Sequence, residues 1–333
     1  MHAPRSPWGS ALGWPLTVVQ ADSRFCQHGE RAQTLGDGSS RLHYWWESAR
    51  ANALWAARHG YLHTLYCLDE SCEHEVAGNL YAAWCKLRAL QDVLSNRVTN
   101  SNRDAPQGAL LSIGMVLFLD SDAFWHRPDM PIERLLGQYV PAGDWAARGA
   151  DASSIFFGCN LPWKGEDRGK RRWNATLTNA ERGPPNTGVM LLRNTASARE
   201  ALRAWWSVPA TTPQWNRNFA WEQSALWELW ARQPGFARRM RVLHDERRNE
   251  CMRTMDPQHP SPIVHVAGGR VEPGRREGRL DALGLRRNVS AAWFTCLTHL
   301  PPSGGAQPGC PSRRLDVSAD GTVHLGACES CTT

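Results

Sequence analysis

Gly114-Met-Val-Leu-Phe-Leu-Asp-Ser-Asp-Ala-Phe-Trp125 is the stretch whose reading decides the fold. Residues 115–119 are apolar and end abruptly in two carboxylates, Asp120 and Asp122. So short a run reads as a buried strand of an α/β fold, in a mostly parallel central sheet flanked by helices. Open sheets of this kind collect ligands at the carboxyl ends of their strands, which is where both acids fall. In an extended chain residues two apart point the same way, so Asp120 and Asp122 converge while Ser121 faces the other side. Two hard oxygen donors there suit Mn²⁺ or Mg²⁺ that also holds phosphate oxygens. An acid after a strand is as often a turn former or helix cap, so the neighbours must supply the rest of the argument.

Upstream, residues 16–19 form a short β run that leads into a loop carrying Asp22. That loop is a candidate site for a nucleotide base and ribose, although an acid capping its own turn explains Asp22 equally well. Residues 42–59 lack Pro and Gly and are followed by Gly60, so a helix is expected there, then a strand over 61–68. Residues 69–78 read as a polar loop. Residues 80–94 read as a helix with Trp84, Leu87, Leu90, Gln91 and Leu94 on one stripe. Lys86 and Arg88 on that helix are expected on a solvated face, with a donor phosphate as the competing role for them.

Downstream, a short helix is expected over 132–136 and a strand over 153–157. Residues 161–185 form a long basic loop with Trp163 and Trp173. Asn186-Thr-Gly188 then opens an apolar strand running to Arg193, and a helix follows over 196–206. Gly188 would let the backbone come close to a ligand or a neighbouring strand. A helix over 219–230 begins with Trp221-Glu222-Gln223, where Glu222 suits the helix dipole. Residues 241–244 read as a strand. Pro262-Ile-Val-His-Val-Ala-Gly-Gly-Arg270 carries His265 inside an apolar strand that ends in glycines and an arginine. Gly268 and Arg270 could accept phosphate through backbone N–H and guanidinium groups, and they favour His265 as a ligand over a core histidine. A last helix is expected over 291–300.

At 333 residues the chain can bury one large α/β domain or two smaller ones. Its net charge of +6 favours an anionic substrate. The basic residues are scattered, and no zinc finger, helix-turn-helix or RNP-like motif is present, which argues against nucleic acid as a partner. Ten cysteines fit an oxidising compartment with several disulfides. Cys67/Cys72 and Cys328/Cys331 are candidate local pairs, with zinc as the rival reading of the second. The sequons Asn174-Ala-Thr176 and Asn288-Val-Ser290 agree with a secretory route and a glycoprotein. No stretch approaches the ~20 apolar residues of a membrane span, so a membrane would be reached only through an anchor upstream of this chain. The 17 tryptophans read mostly as packing residues, with sugar stacking as the sharper role for some.

Five segments taken together resemble one family. They are Ala56-Ala-Arg-His-Gly-Tyr61; Trp84-Cys-Lys-Leu-Arg-Ala-Leu90; Phe118-Leu-Asp-Ser-Asp122; Asn186-Thr-Gly188 with Arg193-Asn194; and Glu222-Gln-Ser-Ala-Leu226 with His265-Val-Ala-Gly268. Their order is similar to that of the fungal galactosyl- and mannosyltransferases and the plant xyloglucan xylosyltransferases of the Golgi. The resemblance runs from about residue 16 to 270. It implies a GT-A glycosyltransferase domain over 14–300 and leaves 301–333 as a cysteine-bearing irregular tail. It implies retaining, Mn²⁺-dependent (or Mg²⁺-dependent) transfer of a hexose or pentose from a UDP- or GDP-sugar to a glycan acceptor, in the Golgi or after secretion. It further implies that Asp120, Asp122 and His265 hold the metal, and that Gln223 and Glu222 lie by the reacting sugar. Asp22, Gly268 and Arg270 would contact the donor. Arg270 stands where the family usually has lysine, and Gly269 where it commonly has cysteine. The rival class is a non-catalytic carbohydrate-binding or degenerate transferase-like protein. Homo- or hetero-oligomers are compatible with either.

Overall fold

The structure is a computed structural model. It describes residues 16–27, 33–34, 40–41, 44–68, 71–95, 114–139, 153–159, 185–216, 218, 220–245, 250–251, 253–254, 261–265, 294–298, 313–317 and 323–325. The long basic loop with Trp163 and Trp173, both sequons, Gly268, Gly269, Arg270 and the Cys328/Cys331 pair lie outside these residues.

Strand β1 is Leu16–Asp22, helix α1 Tyr44–His59 and strand β2 Leu62–Cys67. A hairpin of β3 (Ser71–His74) and β4 (Gly78–Tyr81) leads into helix α2, Ala82–Leu94. Strands β5 (Met115–Leu119) and β6 (Ala123–Trp125) precede helix α3, Ile132–Tyr139. Strands β7 (Ile155–Cys159) and β8 (Pro185–Arg193) precede helices α4 (Ala196–Trp206) and α5 (Trp221–Arg232). Strands β9 (Met240–Asp245) and β10 (Ile263–His265) follow. The α/β class expected from the sequence is therefore present.

The central sheet is ordered β9-β7-β8-β5-β1-β2, with β1 parallel to both β5 and β2, and β7 parallel to β9. Strand β8 runs antiparallel to both β5 and β7. Helices cover both faces, as strands buried on both sides require. On one face Trp84, Leu87 and Leu90 of α2 pack with Leu202 and Trp205 of α4 and Leu226 of α5 against Val116, Phe118, Met190 and Phe157. On the other face Trp55 of α1 and Leu135 and Leu136 of α3 meet Val18, Leu117, Leu119 and Leu191. Trp55, Trp84, Trp125 and Trp205 are fully buried, so packing is the role of these indoles.

Four expectations are corrected. Part of residues 69–78 is the β3–β4 hairpin, closed by a turn at Gly78 whose φ of +71° suits glycine. Cys72 of that hairpin bonds Cys85 of α2, not Cys67, because the hairpin lies against the helix. Residues 294–298, read as a helix, form a strand parallel to β2, and Phe294-Thr-Cys-Leu-Thr298 is indeed a strand-like mixture of aromatic and β-branched residues. Two further strands, Arg313–Val317 and Val323–Leu325, extend this edge of the sheet from the segment read as an irregular tail.

At the sheet centre His63 is buried and donates from Nε2 to Gln20 Oε1 at 3.2 Å, while Gln20 Nε2 reaches the carbonyl of Asp120 at 3.4 Å. Burial pushes the His63 imidazole down from 6.5 to about 3. Between those values the unfolded chain takes up a proton that the folded chain refuses, so stability falls as pH drops through this window. In urea unfolding, His63→Gln is expected to lose that part of the acid sensitivity, up to about 1.4 kcal/mol per pH unit relative to the parent.

Candidate metal centre and active site

Strand β5 ends at Leu119, and the chain turns at once: the Ala123 amide donates to the Asp120 carbonyl at 2.8 Å. Asp120 and Asp122 therefore converge through a tight turn and not through the pleat of an extended strand. Ser121 does face the other side, donating to Asp22 Oδ2. The turn feeds β6, which Asn52 of α1 holds by pairing with its backbone. Asn52 Nδ2 donates to the Ala123 carbonyl at 2.9 Å and Asn52 Oδ1 accepts from the Trp125 amide at 2.8 Å.

Strand β10 pairs antiparallel with β6 and sets His265 opposite Ala123. This register brings the buried His265 to the acids. Its Nε2 lies 3.1 Å from Asp122 Oδ1 and 3.7 Å from Asp120 Oδ2. One ligand atom from each residue lies within 4.8 Å of the others, a spacing that two carboxylate oxygens and an imidazole nitrogen around one divalent ion would show. Asn186 Oδ1 lies 3.0 Å from His265 Nδ1, and the same oxygen accepts from the Gly188 amide at 3.0 Å. With Nδ1–H donating to Asn186, the lone pair at Nε2 faces the carboxylates, the usual way an imidazole is held for a metal.

Gly188 completes the cradle. Its carbonyl accepts from the Asp120 amide at 2.8 Å. A Cβ at residue 188 would meet His265 Cε1 at 2.0 Å and Asp120 Oδ2 at 2.7 Å. The close approach expected of this glycine is thus to the two candidate ligands themselves. A bulge between Asn186 and Met190 in β8 turns the segment toward them.

Lys86 is not on a solvated face. It is buried at 7% exposure, with Nζ 2.9 Å from Asp120 Oδ1 and 3.1 Å from Glu222 Oε1. Burial alone would lower its pKa, but the charges of Asp120 and Glu222 outweigh it and raise the value, so Lys86 is a fixed cation. Glu222 is 3% exposed; burial pushes its carboxyl up while Lys86 and a 2.8 Å hydrogen bond from Thr187 Oγ1 oppose that. Gln223 accepts at Oε1 from Thr187 N at 3.0 Å and Asn186 Nδ2 at 3.2 Å, and its Nε2 has no partner among the described residues. Indole N–H groups fix the start of α5: Trp205 donates to the Glu222 carbonyl and Trp227 to the Pro185 carbonyl.

Asp22, at the end of β1, is paired with Arg24, whose Nε donates to Oδ1 at 2.8 Å, and it reaches the acidic turn through Ser121. Lys86 and Asn186 are the residues that sequence reasoning missed. The signal for Lys86 was its place next to Leu87 and one turn before Leu90 on the apolar stripe.

No model of a known protein family matches the chain, and no curated protein matches it. Among solved structures it is similar to a glycosyltransferase involved in the glycosylation of the major capsid of PBCV-1. That match has 16% identity and a TM-score of 0.49, over 81% of this chain and 99% of that one. It is also similar to galactosyltransferase LgtC in complex with donor and acceptor sugar analogues, at 12% identity and a TM-score of 0.41, over 80% and 94%. An active-site mutant of LgtC matches at 11% identity and a TM-score of 0.37, over 80% and 95%. At these values no residue role is transferred from them.

Gly188→Ala is expected to weaken Mn²⁺ binding at least about tenfold, since the methyl displaces His265 and Asp120 together. Isothermal titration of the folded variant checks this.

Proposed function

We propose that the chain is a metal-dependent GT-A glycosyltransferase that moves a sugar, with retention, from a UDP- or GDP-sugar to a glycan or polysaccharide acceptor. The observation that carries the reading is the Asp120, Asp122 and His265 cluster at the carboxyl end of β5, with the buried cation Lys86 bonded to one of its acids. On this reading the transferase unit spans 14–300, with 301–333 appended. Mn²⁺ is the ion that the mixed oxygen and imidazole donor set favours over Mg²⁺. A fungal- or plant-type Golgi subgroup stays part of the proposal. The ten cysteines and the Cys72–Cys85 bond support a secretory location. No helix among the described residues is long and apolar enough to cross a membrane.

A bound divalent ion supplies neutralisation of the charge that develops on the departing diphosphate. Lys86 adds a permanent positive charge beside Asp120 that the fold has already oriented. Gln223, with Oε1 fixed by Thr187 and Asn186, directs its free amide N–H group at a sugar hydroxyl or ring oxygen. The two bond changes are loss of the bond from the anomeric carbon to phosphate and gain of the bond to the acceptor oxygen. The acceptor proton passes to the leaving phosphate oxygen, so no strong protein base is needed. Glu222 anchors Lys86 in this scheme. Both its oxygens are buried, Oε2 without a hydrogen-bond partner among the described residues, which suits an anchor better than a nucleophile. Asp22 orders the acidic turn through Ser121, and Arg24 is its cationic neighbour toward a nucleotide. Gly268 and Arg270 are assigned to the diphosphate.

The test is donor hydrolysis by the purified chain across UDP- and GDP-sugars, with Mn²⁺ and with chelator. Turnover of one donor is expected, abolished by chelator and reduced about a hundredfold or more in Asp122→Ala. A folded protein that neither binds nor hydrolyses any of these donors overturns the reading and leaves a carbohydrate-binding protein in its place.

A further inference from the structure

Two helix N-termini meet beside the candidate site, and they are joined twice. The inner joint is the ion pair between Lys86 of α2 and Glu222 of α5. The outer joint is aromatic. Tyr81, the residue before α2, stacks on Trp221, the first residue of α5, with ring centroids 4.2 Å apart and planes 15° from parallel.

Three features mark this pair, in which Trp221 is partly buried against the core and Tyr81 is exposed. Tyr81 is 50% exposed, the most exposed aromatic ring among the described residues, and its hydroxyl has no partner among them. Trp221 has a φ of +44°, the one positive value at a described residue other than glycine. A bulky side chain in that region is strained, and such strain collects at ligand sites. The cap position of α2 is also left empty. Tyr81 sits there with no side-chain hydrogen bond to the helix, where Ser, Thr or Asp would stabilise it.

Both elements thus give up local stability to stack two flat rings face to face, with Tyr81 outermost and Trp221 one residue before Glu222 and two before Gln223 in the chain. We infer that Tyr81 and Trp221 form a stacking platform for a pyranose of the acceptor glycan, with the open face of Tyr81 against the C–H face of the sugar and Trp221 backing it. An aromatic face is a poor partner for a diphosphate and a good one for a sugar face with its axial C–H groups turned outward. The diphosphate belongs with Asp120, Asp122, His265 and Lys86. The platform sits at the two helix starts that also carry Lys86 and Glu222, and the receiving sugar is assigned to it. The assignment to an acceptor rests on the transferase reading; the assignment to carbohydrate does not.

Two substitutions remove the rings with residues that suit the local backbone, and the melting temperature reports whether the fold is kept. Trp221→Gly accepts the positive φ, and Tyr81→Ser places a capping residue at the start of α2. Binding of the methyl pyranosides of glucose, galactose, mannose and xylose is followed by saturation-transfer NMR, with melting temperature and Mn²⁺ affinity as controls on the same samples. At least one glycoside is expected to bind the parent chain, and to bind each variant about five- to tenfold more weakly, with both controls unchanged. A glycoside that binds parent and variants alike overturns the platform, as does failure of all four to bind the parent. Donor hydrolysis without acceptor separates the two proposals. Hydrolysis with unaltered glycoside binding in the variants sinks the platform and keeps the transferase. Weakened glycoside binding without hydrolysis of any donor keeps a carbohydrate platform and sinks the transferase.

Discussion

The missing side chain at residue 188 is the constraint on which the rest of the site depends. Asp120 stands at the end of β5 and His265 at the end of β10, strands of two different sheets. They come within reach of each other because β8 passes between them as bare backbone. Its carbonyl takes the Asp120 amide, and its amide takes Asn186 Oδ1, which also holds the His265 ring. One strand thus supplies the space, the orientation of the imidazole and the attachment of the acidic turn. Close packing leaves no slack for a methyl group in such a place.

The second organising element is electrostatic. Asp120, Lys86 and Glu222 form a line of alternating charge from the half-buried end of β5 to the buried start of α5. Desolvating Lys86 and Glu222 is costly, and replacing such a buried pair by apolar side chains often leaves a protein no less stable. Its value here is positional. It ties two helix N-termini to the acidic turn, and it keeps a cation next to a carboxylate where a phosphate group would need one. The neighbouring hydrogen bonds from Thr187, Trp205 and Trp227 leave the start of α5 little freedom. The same two helix starts carry the strained Trp221 and the exposed Tyr81, so local stability is surrendered around a rigid centre.

Legibility differed with the kind of signal. Apolar runs and helical stripes placed β5 and α4 to the residue and α1, α2 and β8 to within two, since burial on a sheet face or helix stripe leaves a period in the chain. The β3–β4 hairpin was not visible, because its strands are short and mostly polar and form a separate two-stranded sheet with little period to read. Within the helix expected at 291–300, residues 294–298 form a strand, since a short mixed run does not separate the two states without its neighbours. Lys86 was misplaced for a related reason. A charged residue on a helix reads as solvated unless the opposite charges that surround it are known, and those lie 34 and 136 positions away.

What the sequence determined by itself is the list of parts: an apolar strand ending in two acids, a glycine able to accept a close neighbour, a histidine in a buried strand, and an α/β order of elements. These are local properties of composition and period. Tertiary structure alone decided which parts meet. The β6–β10 register put His265 across from Ala123, the bulge in β8 aimed Gly188 at both ligands, and the crossing of α2 with α5 buried Lys86 between two carboxylates. Such meetings depend on strand register and helix packing between segments far apart in the chain, and a one-residue slip in a strand register would turn the same side chains to the other face.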